Sequence, residues 1–138
     1  MSDYGLLAET LGFQNPRGMT PLGIARSVEA GLPTSSLARL AKAICPDDVN
    51  FRHRLVPRAT AARSKVLSHM ASERVARVAR IWAEAVSVWG GEEAARAFLF
   101  RPHAMLDDQP PMTVTLKSEM GAELVSDILG RLRYGSAA

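Results

Sequence analysis

The sequence is short of the residues from which small proteins build staples and catalytic centres. It holds one cysteine, Cys45. That excludes an internal disulfide framework and fits a reducing compartment, so a cytoplasmic location is expected. The three histidines, His53, His69 and His103, stand too far apart for local metal-ligand spacing, and Cys45 has no CxxC partner. No metal or cofactor is expected. No apolar run approaches the roughly eighteen residues that a membrane span needs, and no charged-then-apolar leader opens the chain, so no membrane partner is expected. Nucleophile motifs such as GxSxG are missing. Gly90-Gly91 has the look of a phosphate loop, but Glu92 and Glu93 follow directly and would repel a phosphate. Asp107-Asp108 could act as paired carboxylates, yet two acids in a Pro-rich loop are more often solvated. The sequence does not read as an enzyme.

What is present is enough apolar residue to bury a core, 47% against 22% charged. The net charge of +3 conceals an asymmetry. Residues 1–80 carry 12 Lys/Arg against 6 Asp/Glu, a net +6, and residues 81–138 carry 5 against 8, a net −3. Within 52–80 eight basic residues face Glu73 alone. Such a zone is the expected footprint of a polyanion, the plainer reading being a solvated basic face.

The periodicity predicts an all-α chain. The most regular stretch is a long helix over Met70–Trp89, with Ser72 as N-cap, Gly90 just past the end, and Val75, Val78, Trp82, Ala85, Val86 and Trp89 on one face. Glu73 to Arg77 and Arg80 to Glu84 are i,i+4 pairs, and structural roles are expected for Arg74, Arg77 and Arg80. Trp82 and Trp89 read as core. Before this helix come a short one ending at Gly12, one opened by Thr20-Pro21 and closed by Gly31, and one capped by the Thr34-Ser35-Ser36 cluster and ending before Pro46.

A short helix over 47–54, a turn at Val56-Pro57 and a basic helix over Ala59–Leu67 then give the layout of a helix-turn-helix. Arg58, Thr60, Arg63 and Lys65 are the candidate DNA-contacting residues, since Arg reads guanine bidentately and Lys or Thr holds phosphates. The alternative is that Ala59, Ala62 and Val66 pack this helix and its arginines are merely solvated.

After Gly90-Gly91 a helix is expected over 92–100, a loop over 102–113 with strand-like alternation only at Met112–Leu116, and a last helix over about 118–129. Its apolar face would be Met120, Leu124, Val125, Ile128 and Leu129. Gly130 is expected to end it and to release an extended tail carrying Arg131, Arg133, Tyr134 and Gly135. Arg and aromatic residues on a narrow segment suit insertion into a partner's cleft. The alternative is that Tyr134 folds back on Trp89 or Phe98.

Three stretches have a common likeness. They are Gly31-Leu32-Pro33 with Ser36-Leu37, Leu40 and Arg58-Ala59-Thr60-Ala61-Ala62-Arg63; Ser72-Glu73-Arg74 with Arg77, Ala79 and Arg80; and Gly91-Glu92-Glu93-Ala94-Ala95-Arg96 through Phe98-Leu99, Pro102, Leu106, Pro111 and Gly121-Ala122 to Leu129-Gly130-Arg131-Leu132-Arg133-Tyr134-Gly135. From Gly31 onward the chain resembles the Xre/MbcA/ParS-type antitoxins, partners of RES-domain toxins, most strongly in a terminal run like LGRIEYG. It departs from their pattern in having Asp107-Asp108 for a Gly-Gly pair, Phe98-Leu99 for a tryptophan-leucine pair, Ser64 for an arginine, and one extra residue between Pro111 and Gly121.

The resemblance implies a complete antitoxin without catalytic activity. Residues 1–69 would be a helix-turn-helix DNA-binding domain and residues 70–138 a toxin-binding domain, joined by the long helix. The partners implied are a cognate RES-domain toxin, which acts on NAD, and operator DNA bound by a homodimer. Arg131, Arg133, Tyr134 and Gly135 would approach the toxin's NAD pocket. Two other readings stay open. One is a stand-alone helix-turn-helix regulator with a ligand- or partner-binding C-terminal half, and the other is a small scaffold protein.

Overall fold

A computed structural model describes residues 2–61 and 65–135. Among these residues the chain is all-α, as expected, with nine α-helices and no strand beyond two isolated bridges. It divides into two compact units, Met1–Arg80 and Ile81–Ala138, and the division falls inside the longest helix.

The N-terminal unit begins with α1 (Asp3–Leu11), where the Ser2 hydroxyl accepts from the Gly5 N–H at 3.0 Å and Gly12 ends the helix at φ 88°. In α2 (Pro21–Ala30) Thr20 caps and Pro21 takes the first position, as the sequence leads one to expect. Gly31 follows at φ 103°, and a Cβ there would meet Val66 and the Leu67 carbonyl at 2.7 and 2.9 Å.

The expected capping cluster of α3 (Thr34–Ile44) is used differently. Thr34 is already helical, its N–H donates to the Lys65 carbonyl at 2.8 Å, and buried Ser36 donates its hydroxyl to the Leu11 carbonyl at 2.7 Å. The orphan donor of a helix start is thus satisfied by distant backbone. Leu37, Leu40, Ala41 and Ile44 of α3 pack with Leu7, Ala8 and Leu11 of α1 in the core. Phe51, Leu55 and Val56 are buried around the single turn α4 (Arg52–Leu55). The helical residues Arg58–Ala61 (α5) follow.

The long helix α6 spans His69–Trp89. Its cap is Ser68, whose hydroxyl accepts from the Ala71 N–H at 3.2 Å. Ser72, the expected cap, lies inside the helix and is buried. Its hydroxyl accepts from the Leu32 N–H at 2.9 Å, fastening the chain after α2 to α6. The i,i+4 contact in the first turn is His69 with Glu73, at 3.6 Å. Arg74 donates to the Leu55 carbonyl at 3.3 Å, a structural role of the kind expected for it.

The C-terminal unit holds the end of α6, then α7 (Glu92–Phe100), α8 (Pro111–Lys117) and α9 (Glu119–Arg133). Gly90, at φ 77°, donates to the Val86 carbonyl and closes α6 as expected. Trp82, Leu99, Met112, Ala122, Val125 and Leu129 are buried at its centre. Each large apolar side chain so placed contributes about 1.5–3 kcal/mol.

Two expectations about secondary structure fail in this unit. Residues 111–117, read as loop and strand-like, form α8, started by Pro111 and stitched by the buried Thr115 hydroxyl donating to the Pro111 carbonyl at 2.9 Å. Packing against α9 overrides the weak helix propensity of its β-branched residues. The second failure is at Gly130, which lies within α9 and does not end it. The Ser118 cap of α9 is as expected, accepting from the Gly121 N–H at 2.9 Å, but Met120 and Leu124, expected inward, are exposed.

Candidate functional site

In the N-terminal unit the residues singled out for DNA are partly brought together. Arg58 and Thr60 are exposed on α5, described over Arg58–Ala61, where a helix over Ala59–Leu67 was expected. Lys65 is exposed but is not helical. The chain there is extended: Val66 bridges Pro33, and Leu67 donates to the Leu32 carbonyl at 2.8 Å. Leu32 and Leu67 are buried at this pairing, and residues 65–67 are extended where a helix was expected. Arg63 lies outside the described residues, as does Ser64.

In the C-terminal unit the site residues sit at the end of α9. Arg131 and Arg133 are helical, which replaces the extended tail expected from Gly130. The Arg131 guanidinium lies 3.7 Å from the Met105 sulfur, and that of Arg133 lies 3.4 Å from the Ser87 hydroxyl. Leu132, between them, lines an open groove of about 300 Å3. The four residues therefore do not converge on one point. The arginines reach to separate anchors, Tyr134 is 83% exposed, and Gly135 turns the chain at φ 78°. Tyr134 at that exposure does not fold back on Trp89 or Phe98.

The groove itself was not foreseen. Its aromatic wall is Trp89 stacked at a tilt on Phe98, centroids 5.6 Å apart, with His103 edge-on to Phe98 at 6.0 Å. Trp89, read from the sequence as core, is 42% exposed. Ala94 and Ala97 on α7 are too small to cover these rings, and that pair of alanines beside Gly90-Gly91 is the signal the sequence carried. Arg101 adds a positive charge to the rim.

The loop under the groove is ordered by its own bonds. The His103 Nδ1 accepts from the Met105 N–H at 3.1 Å, and residues 106–109 form a tight turn closed by Gln109 donating to the Leu106 carbonyl at 3.0 Å. Asp107 and Asp108 at its centre have φ 54° and 61°. Both central residues of a type I′ turn need this left-handed conformation, which glycine adopts most readily. The place where the antitoxin pattern carries Gly-Gly is therefore a place where the backbone asks for it.

Among the described residues no three His, Cys, Asp or Glu side chains gather as metal ligands would. None of the described helices is long and apolar enough to cross a membrane. What the C-terminal unit offers is an aromatic groove beside a helix end that presents two arginines and a tyrosine, a surface suited to binding another protein. A search of curated proteins finds no match to the chain. Residues 84–135, which hold nearly all of this surface, match the family model of the antitoxin Xre/MbcA/ParS C-terminal toxin-binding domain.

Proposed function

We propose that the chain is the antitoxin of a toxin–antitoxin pair, a binding protein and not an enzyme. Its C-terminal half neutralises a RES-domain, NAD-targeting toxin by direct contact, and its N-terminal half binds operator DNA as a homodimer and represses the operon. The observation that carries this reading is the match of residues 84–135 to an antitoxin toxin-binding domain. The groove of Trp89 and Phe98 and the helix end at Arg131, Arg133, Tyr134 and Gly135 support it. Because α9 runs to Arg133, the part of the tail proposed to enter a toxin's active site falls to Tyr134 and Gly135, past the helix end. The arginines then act as fixed anchors at its root.

Support for the DNA half is the basic zone over 52–80 and the exposure of Arg58, Thr60 and Lys65. The pair Met120 and Leu124, exposed one turn apart on α9, supplies apolar area for a second copy. The alternative, a stand-alone regulator with a ligand in the groove, draws on the groove's volume, which is at the lower end for small-molecule sites.

The test is co-expression with the RES-domain toxin proposed as its cognate partner, using the full chain, a Trp89→Ser variant and a truncation lacking 134–138. The proposal expects full-length protein to protect cells and co-purify with the toxin. It expects truncation to weaken protection sharply, with helical content kept. Failure of the full chain to bind or protect overturns the antitoxin reading.

A further inference from the structure

The N-terminal unit contains a cleft of about 210 Å3 between the first turns of α3 and the α4–α5 corner. Arg52 and His53 line it from α4, Arg58 from α5, and Thr34, Leu37 and Ala38 from α3. Three basic groups thus meet in one small space, and no carboxylate among the described residues lines it. Arg54, the remaining arginine of α4, is held over the Phe51 ring at 5.6 Å. The His53 Nδ1 is shut off from solvent and lacks a hydrogen-bond partner.

Charges of one sign are not gathered beside an unpaired buried nitrogen for the sake of packing, since each raises the cost of the others. One tetrahedral oxyanion would reverse every one of those costs. Guanidinium groups grip phosphate oxygens through paired N–H donors, and an imidazole beside them donates once protonated.

We propose that this cleft is a seat for a single phosphate group, gripped by Arg52 and Arg58 with His53 as a proton-linked third donor. Arg52 and His53 thereby join the functional residues. The seat takes either a phosphodiester of a DNA strand, in which case it rests on the DNA-binding reading above, or a free phosphate.

The imidazole gives the seat a pH dependence of definite sign. Burial first, then the charges of Arg58 and Arg52, hold the His53 pKa below its usual 6.5. The α3 side contributes only Thr34, Leu37 and Ala38, none of them charged. His53 is therefore neutral near pH 7 in the free protein. A bound oxyanion offsets the two arginine charges and raises the pKa, so binding takes up a proton and tightens as the pH falls toward the lowered pKa of the free protein.

The experiment follows the ring resonances of His53 by NMR in the full chain between pH 5 and 8. The probes are sodium sulfate, whose charge is constant over that range, and a short duplex DNA of arbitrary sequence. The expected result is an upward move of the His53 titration with each probe, lost in Arg52→Gln. Arg52→Gln, an exposed position, should also lower the dependence of log K for duplex on log salt by roughly one. A His53 titration indifferent to both probes overturns the seat, and if duplex still binds, the DNA reading survives that failure. A response to sulfate with no duplex binding at low salt supports a free-phosphate seat and overturns the DNA reading.

Discussion

The two units hold their candidate contact residues in opposite ways. In the C-terminal unit Arg131 and Arg133 stand on the last turn of a helix of 15 residues, whose Val125, Ile128 and Leu129 are buried. In the N-terminal unit Arg58 and Thr60 stand on the four described helical residues of α5, and Lys65 on extended chain held by backbone bonds to residues 32 and 34. Side chains on a packed helix are positioned by the core, whereas side chains on short connected pieces are positioned by hydrogen bonds that cross the chain. The candidate contact residues of the acidic half thus owe their placement to apolar contacts and those of the basic half to polar ones, and different substitutions should break them.

The largest effect is expected at Gly121. A Cβ there would stand 2.2 Å from the Val114 carbonyl oxygen, so even alanine forces α8 and α9 apart. Gly121→Ala should cost about 3 kcal/mol, at the upper end for overpacking. Urea unfolding measures the cost, and amide exchange locates it. Protection should fall in α8 and α9 and persist in α1 and α3. Equal losses in both units would show that they do not fail separately.

The corresponding break in the basic half is at Ser72. Ser72→Ala leaves the buried Leu32 N–H without its acceptor and should cost about 2 kcal/mol. Ser68→Ala, which removes only the helix cap, should cost about 1 kcal/mol. Thermal unfolding of the two variants sharpens the comparison. If Ser68→Ala proves the costlier, then the cap and not the cross-chain bond holds residues 65–67 in place.

The sequence made the helices legible wherever caps and periodicity agreed. Ser118, Thr20-Pro21, Gly31 and Gly90 each mark an end that the structure keeps. It misled where tertiary partners decide. Ser72 looks like a cap because it precedes an apolar stripe, but Leu32 claims its hydroxyl. Residues 65–67 carry helix-compatible spacing, yet the pairing with residues 32–34 buries both Leu32 and Leu67. Met112–Leu116 alternates like a strand, and only the presence of α9 makes it a helix. The residues proposed to meet the toxin were picked out as a group, from the terminal pattern. Their helical setting was not, because a glycine near a chain end reads as a stop and here continues α9. The aromatic groove was invisible for a simpler reason. Exposure of Trp89 depends on the small size of Ala94 and Ala97 on another helix, which spacing within α6 does not encode.

The smallest effect, and the only one expected to stabilise, concerns the turn at 106–109. Asp107 and Asp108 both occupy the left-handed region, at φ 54° and 61°. That conformation crowds Cβ against the carbonyl, and aspartate tolerates it better than most residues but less well than glycine. Glycine removes the crowding and also enlarges the entropy of the unfolded chain, so the two effects partly cancel. The second central position of a type I′ turn favours glycine most, after Asn or Asp at the first. Asp108→Gly should therefore raise stability by about 0.5 kcal/mol and the melting temperature by about 2 °C, with part of the gain from separating adjacent like charges. Asp108→Val, β-branched, should lower stability by at least about 1 kcal/mol at the same position. The pair of variants, measured by thermal unfolding at pH 7, isolates backbone strain from charge, since both remove the carboxylate. A stabilising valine would mean that charge repulsion rather than the left-handed backbone dominates this turn. A destabilising glycine would mean that the Asp108 carboxylate makes a contact worth more than the strain it endures, and the loop under the groove would then owe its order to the two aspartates themselves.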